Sequence, residues 1–240
     1  MREVLSLLQS MYPRAVTALE HSNPFELLVA TILSAQCTDE RVNMITKELF
    51  PAFPTAKHLA QASFEDVADI VKSAGLWQTK ARNLIKTAQL LVDKHGGQVP
   101  RTRDELQALP GVGRKTANVV MANAFQIPAI AVDTHVFRVA NRIGLVQASN
   151  PYQTELQLME IIPKEDWIDA HHWLILHGPA IPCATGVHFG PIVPITLSKL
   201  VGSKGPIKHG RSATNAHISA RVLFVYSPFD GFFLSESYDY

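Results

Sequence analysis

Apolar side chains recur three and four positions apart from the start of the chain to about Gly178, and no sustained two-residue alternation interrupts them. That spacing predicts helices that each bury one face, and hence an all-α fold. Pro24 opens a segment with Phe25, Leu28 and Ile32 on one side, and proline suits a first helical turn because the amide it lacks has no partner there anyway. Ser63 followed by Asp66, and Thr102 followed by Glu105, are capping-box patterns ahead of apolar positions. The first introduces Val67, Ile70 and Val71 and is closed by Gly75. The next helix buries Ala81, Leu84, Ile85, Ala88, Leu91 and Val92 and stops at Gly96-Gly97, since glycine takes the left-handed conformation that ends a helix. Lys80, Arg82 and Lys86 fall on its polar face, as a solvated surface or as phosphate contacts.

Between two helical patterns lies Leu109-Pro110-Gly111-Val112-Gly113. Two glycines allow a tight turn whose backbone N–H groups point outward at an anion such as phosphate. A helix follows from about Arg114, with Ala117, Val120, Met121 and Ala124 as its buried stripe. Lys115 therefore sits in the first turn, where the positive helix end disfavours a cation and pushes an amine toward its neutral, nucleophilic form. On spacing alone a solvated surface lysine explains it equally well. Asp133 precedes Val136, Val139, Ala140 and Ile143, so it reads as a helix N-cap.

As a whole the segment Leu109 to Arg138, LPGVGRKTANVVMANAFQIPAIAVDTHVFR, resembles the endonuclease III family of base-excision DNA glycosylases. SNPFELLVATILSAQCTD at Ser22 to Asp39, GLWQTKARNLIKTAQLL at Gly75 to Leu91 and DAHHWLILHG at Asp169 to Gly178 extend the likeness over roughly residues 15 to 178. The resemblance implies a helix-hairpin-helix at the LPGVGRKTANVV segment, Leu109 to Val120, a central helical domain over 19–128, and a second helical domain built from 1–18 plus 129–178, with a cleft between them. It implies that Lys115 attacks the sugar C1′ while Asp133 supports the cationic transition state. A Schiff base and β-elimination follow, so the family is both glycosylase and abasic-site lyase. It further implies that Gln36 inserts into the duplex, that Gly111, Val112, Gly113 and Arg114 contact DNA, and that oxidised pyrimidines are the lesions. Double-stranded DNA with damaged bases or abasic sites is the expected partner, and a monomer the expected state. The adenine glycosylase branch shares the hairpin and the aspartate but lacks the lysine, so Lys115 argues against it. Gln107 departs from the glutamate frequent in the family. The alternative reading is an inactive or unstable helix-hairpin-helix protein, because the C-terminal region departs further.

That departure begins after Gly178, in a Pro- and Gly-rich stretch, 179–240, with one candidate strand at Ala220 to Tyr226. In the family four cysteines spaced C-x6-C-x2-C-x5-C follow here and bind a 4Fe-4S cluster. This chain reads PAIPCATGVHFGPIVPITLSKL, with Pro179 in place of a basic residue and only Cys183 left of the ligands. One thiolate does not replace four, so the expectation is no cluster and no metal; a shifted reading frame would explain the tail. His171, His172 and His177 have no organised carboxylate or cysteine partners and read as packed helix histidines.

Composition changes the picture in two ways. The chain has 240 residues, 47% hydrophobic and 18% charged, with a net charge of +1, so any DNA contact must be local and not a general basic surface. Two cysteines exclude a disulfide framework. No run of 18 apolar residues occurs, and Met1-Arg2-Glu3-Val4 starts no apolar leader. No membrane partner and a cytoplasmic, nucleoid-associated location are the expectations.

Overall fold

Residues 2–13 and 16–177 are described by a computed structural model, and every regular element among them is helical. The helices are α1 (Arg2–Met11), α2 (Pro24–Leu33), α3 (Asp39–Ala52), α4 (Ala56–Ala60), α5 (Phe64–Val71), α6 (Trp77–His95), α7 (Arg103–Gln107), α8 (Arg114–Phe125), α9 (Thr134–Arg142), α10 (Pro151–Ile161) and α11 (Trp167–His177), with a 3-10 turn at Lys164–Asp166. The tail 179–240, with Pro179, Cys183 and the candidate strand, lies outside the described residues.

Most starts are set by short polar side chains. Asn23, Thr38, Thr55, Ser63, Thr102 and Asn150 each accept a hydrogen bond from an amide in the turn they cap, and so satisfy donors that a helix start otherwise leaves unpaired. Of the two capping boxes read from sequence, the N-cap half is formed in each: Ser63 accepts from the Asp66 N–H, and Thr102 accepts from the Glu105 N–H while its hydroxyl donates to the Glu105 carboxylate. Gly96 closes α6 at φ +61°.

The described core falls into two clusters. The larger gathers α2 through α8 around Leu27, Leu28, Leu49, Leu84, Leu91, Leu106 and Val120. The smaller joins Leu8 of α1 to Ile130 in the segment before α9 and to Val136, Leu158 and Trp173 on the later helices. The sequence assigns α2 one buried face, but the helix is buried nearly all round, from Phe25 and Leu27 through Leu33. It packs on α3, α6 and α8 at once, and a helix enclosed by neighbours has no polar side to show.

Lys80 is a correction. It does not join Arg82 and Lys86 on an exposed face; it is 4% exposed, and its Nζ is buried without a hydrogen-bond partner. Burial pushes its ammonium below the usual lysine range, against an opposing pull from Cys37. The helical stripe gave no warning, because Lys80 precedes Ala81 at the edge of the buried arc and its burial is set by tertiary packing. No helix among the described residues is long and apolar enough to cross a membrane.

Candidate active site

The hairpin is built by α7, the turn and α8. Leu109 and Val112 are buried and seat the turn in the larger core, and Thr87 of α6 donates to the Pro110 carbonyl at 3.0 Å. Gly111 adopts φ +79°, and a Cβ there would stand 2.9 Å from the Asn83 side chain. Gly113 is different: its backbone is extended, and nothing lies within 4 Å of where a Cβ would be. One glycine makes the turn, and the other leaves open space outside it.

Two of the expected contact residues have partners within the chain. Val112 is 6% exposed, and its N–H donates to the Leu109 carbonyl at 3.1 Å, so it anchors the turn from inside. Arg114 turns its guanidinium to Glu155, at 2.6 and 3.0 Å, and stacks on Tyr152. A buried carboxylate offered a nearer and drier partner than solvent. What remains for an anion is backbone: α8 has no side-chain cap, which leaves the first-turn amides pointing past Gly113 with the positive helix end behind them.

Lys115 and Asp133 come together. The Lys115 Nζ lies 3.3 Å from Asp133 Oδ2, with side chains 42% and 27% exposed, so the pair stands at an opening where the α8 start meets the α9 start. Asp133 caps α9 as well, its other oxygen Oδ1 accepting from the His135 and Val136 N–H groups at 3.0 and 2.8 Å. Burial alone would push its carboxyl up. The Val136 amide, the Lys115 charge and hydrogen bond, and His171 outweigh that and hold it below the usual aspartate range. The carboxylate is therefore ionised at neutral pH, one oxygen locked by backbone and the other facing the amine.

His171 backs the pair. It is 3% exposed, and its Nδ1–H donates to the Ala131 carbonyl at 2.6 Å. Burial, then the neighbouring His172, push its pKa down to about 3, so it is a neutral packing residue, as the sequence reading has it. His172 pairs with Asn123 at 2.9 Å and His177 with Tyr12 at 3.3 Å. No His/Cys/Asp/Glu group among the described residues has a metal-holding arrangement.

Gln36 is exposed and left-handed, at φ +54°. Leu76, which no sequence argument singled out, is likewise left-handed at φ +58° and 60% exposed. The two are neighbours: a Cβ on Gly75 would meet the Gln36 carbonyl at 2.9 Å. An exposed leucine directly after a glycine was the available signal. Asp39 was also missed; burial raises its carboxyl above the usual range, against an opposing pull from Lys115, so a second acid lies within electrostatic reach of the same amine.

Against known proteins, the pattern of the HhH-GPD superfamily of base excision DNA repair proteins matches residues 29–164. The chain is 48% identical to "Endonuclease III" of Escherichia coli strain K12 over 176 residues, which is 73% of this chain and 83% of that protein. It is 49% identical to "Endonuclease III" of Bacillus subtilis strain 168, over 72% of this chain and 80% of that one. A solved structure described as a trapped endonuclease III–DNA covalent intermediate, in an estranged-adenine complex, aligns with TM-score 0.73 at 48% identity, covering 77% of this chain and 87% of that one.

Proposed function

This chain belongs to the HhH-GPD superfamily of base excision DNA repair proteins, alongside the endonucleases III, and we propose that Lys115 is its nucleophile and Asp133 its stabilising carboxylate. It is a base-excision repair DNA glycosylase and abasic-site lyase. The lysine amine, having given up its proton, bonds to C1′ as the C1′–N bond breaks and the base departs with that bond's electrons. The ionised Asp133 stabilises the positive charge that develops on the sugar, the role for which a carboxylate of lowered pKa is suited. Ring opening gives an imine between Lys115 and C1′. A proton then leaves C2′, and the C3′–O bond breaks with expulsion of the 3′ phosphate.

Gln36 and Leu76 are proposed to fill the space left by an extruded nucleotide, since extrusion needs a wedge and these two exposed, left-handed residues stand on adjoining loops. The Gly113 side of the turn and the first amides of α8 hold a phosphate and position the duplex without reading its sequence. Oxidised pyrimidines are the proposed lesions and a monomer the proposed state. The family's 4Fe-4S cluster does not fit this chain, which has two cysteines in all, one of them Cys37 in the α2–α3 loop; no step above uses it.

The observation that carries the reading is the 3.3 Å approach of Lys115 to Asp133. Borohydride reduction of the protein with abasic-site duplex is expected to give a covalent adduct that Lys115→Ala abolishes. An adduct that survives that substitution refutes the assignment, and a folded parent that forms none is a DNA-binding module and no lyase.

A further inference from the structure

One charged side chain in the described core serves no part of that chemistry directly. Glu155 of α10 is 2% exposed. Its Oε2 accepts from Arg114 Nε at 2.6 Å and its Oε1 from Arg114 Nη2 at 3.0 Å and Asn118 Nδ2 at 3.0 Å. Arg103 of α7 approaches Oε1 to 3.7 Å and donates from Nε to Asn118 Oδ1 at 2.9 Å. The same Asn118 amide donates to the Ile130 carbonyl at 2.9 Å. Both helices of the hairpin, the segment leading to α9, and α10 thus converge on one carboxylate.

The two ends of this network lie next to the reacting pair. Arg114 is the residue before Lys115, and Ile130 is three residues before Asp133. Lys115 comes from α8, seated in the larger core, and Asp133 from α9, seated in the smaller, so nothing within a single helix sets their separation. A buried ion pair adds little net stability over apolar residues of the same volume. Its directional, bidentate bonds do fix geometry. Removing the carboxylate would leave two guanidinium groups facing one another beside a third cation, Lys115.

We propose that Glu155 is a positioning residue for the lyase reaction, holding the start of α8 against the segment before α9 so that Lys115 and Asp133 meet. The proposal rests on the assignment of Lys115 and Asp133 made above. Glu155 touches no substrate; it acts through Arg114 and Asn118. It therefore governs the rate of imine formation on bound DNA and not the affinity for DNA, which the hairpin backbone and the wedge supply.

The test is Glu155→Gln, which keeps the shape and removes the charge and one acceptor. Adduct formation with saturating protein on abasic duplex is expected to slow at least tenfold, while the Kd for duplex carrying a non-reactive tetrahydrofuran abasic analogue stays within threefold. Arg103→Met, at a part-exposed position, loosens Asn118 but leaves the bidentate pair; it is expected to slow the same step two- to fivefold at unchanged Kd, and it carries the test should Glu155→Gln fail to fold. A folded Glu155→Gln with the parental rate overturns the proposal, as does an equal loss in rate and affinity, which would mark a purely structural role. If the parent adduct persists in Lys115→Ala, the underlying assignment has failed, and that result is read independently of either variant.

Discussion

Asp133 does two jobs with its two oxygens, and substitution separates them. Asn caps a helix about as well as Asp, so Asp133→Asn should unfold within about 1 kcal/mol of the parent by chemical denaturation, yet form adduct slower by about two to four orders of magnitude, the scale on which a positioned charge acts in a partly dry site. Asp133→Ala loses the cap as well and should cost roughly 1 kcal/mol more. A parental rate in the Asn variant would end the electrostatic role. His171 makes a separate prediction. Its folded pKa of about 3 lies below the ordinary 6.5, so between those values the unfolded chain binds more protons, and stability must fall as pH drops from 6.5 toward 3. The limiting slope is about 1.4 kcal/mol per pH unit for one proton. His171→Asn, whose amide still reaches the Ala131 carbonyl, should flatten that slope in denaturation midpoints measured across the window; an unchanged slope assigns the acid sensitivity to other groups.

At the scale of elements, the hairpin contrasts two glycines that look alike in sequence. Gly111 is left-handed and closely backed by Asn83, so Gly111→Ala should destabilise by about 1–2 kcal/mol from backbone strain alone. Gly113 has an ordinary φ and open space, so Gly113→Ala should leave stability unchanged or raise it by about 0.4–1 kcal/mol. Its added methyl stands where a phosphate would approach, and DNA affinity should fall; if a titration shows no loss, the phosphate docks elsewhere. Helix starts were the most legible elements, because a cap is a local contract between a short polar side chain and an amide two or three residues on. The exposure of a helix's other faces was not, because that depends on what packs there, as α2 and Lys80 show.

For the whole molecule, the near-neutral charge implies that DNA is held by a few placed groups, and the two clusters of the core imply that the site is assembled between them. The tail carries the remaining prediction. With two cysteines in the sequence, the purified protein should contain no iron by elemental analysis; four irons per chain would require ligands other than thiolates. The nucleotide sequence tests the reading-frame explanation, which fails if no single shift restores a cysteine ladder.

The sequence by itself determined the all-helical class, the caps Ser63, Thr102 and Asp133 and the hairpin turn, because each of those is written in residues close together along the chain, and its family resemblance singled out Lys115 and Asp133 as the proposed reacting pair. It also holds too few cysteines to supply the four thiolates of the family's cluster. Only the tertiary structure decided that Lys115 and Asp133 stand 3.3 Å apart, that the loop before Leu76 adjoins that of Gln36, that Val112 is buried, and that Arg114 and Asn118 share the Glu155 carboxylate. Those are contacts between residues up to 41 positions apart. Periodicity records which face of a helix is apolar, whereas the partner of that face, and of every polar group on its edge, is chosen by packing.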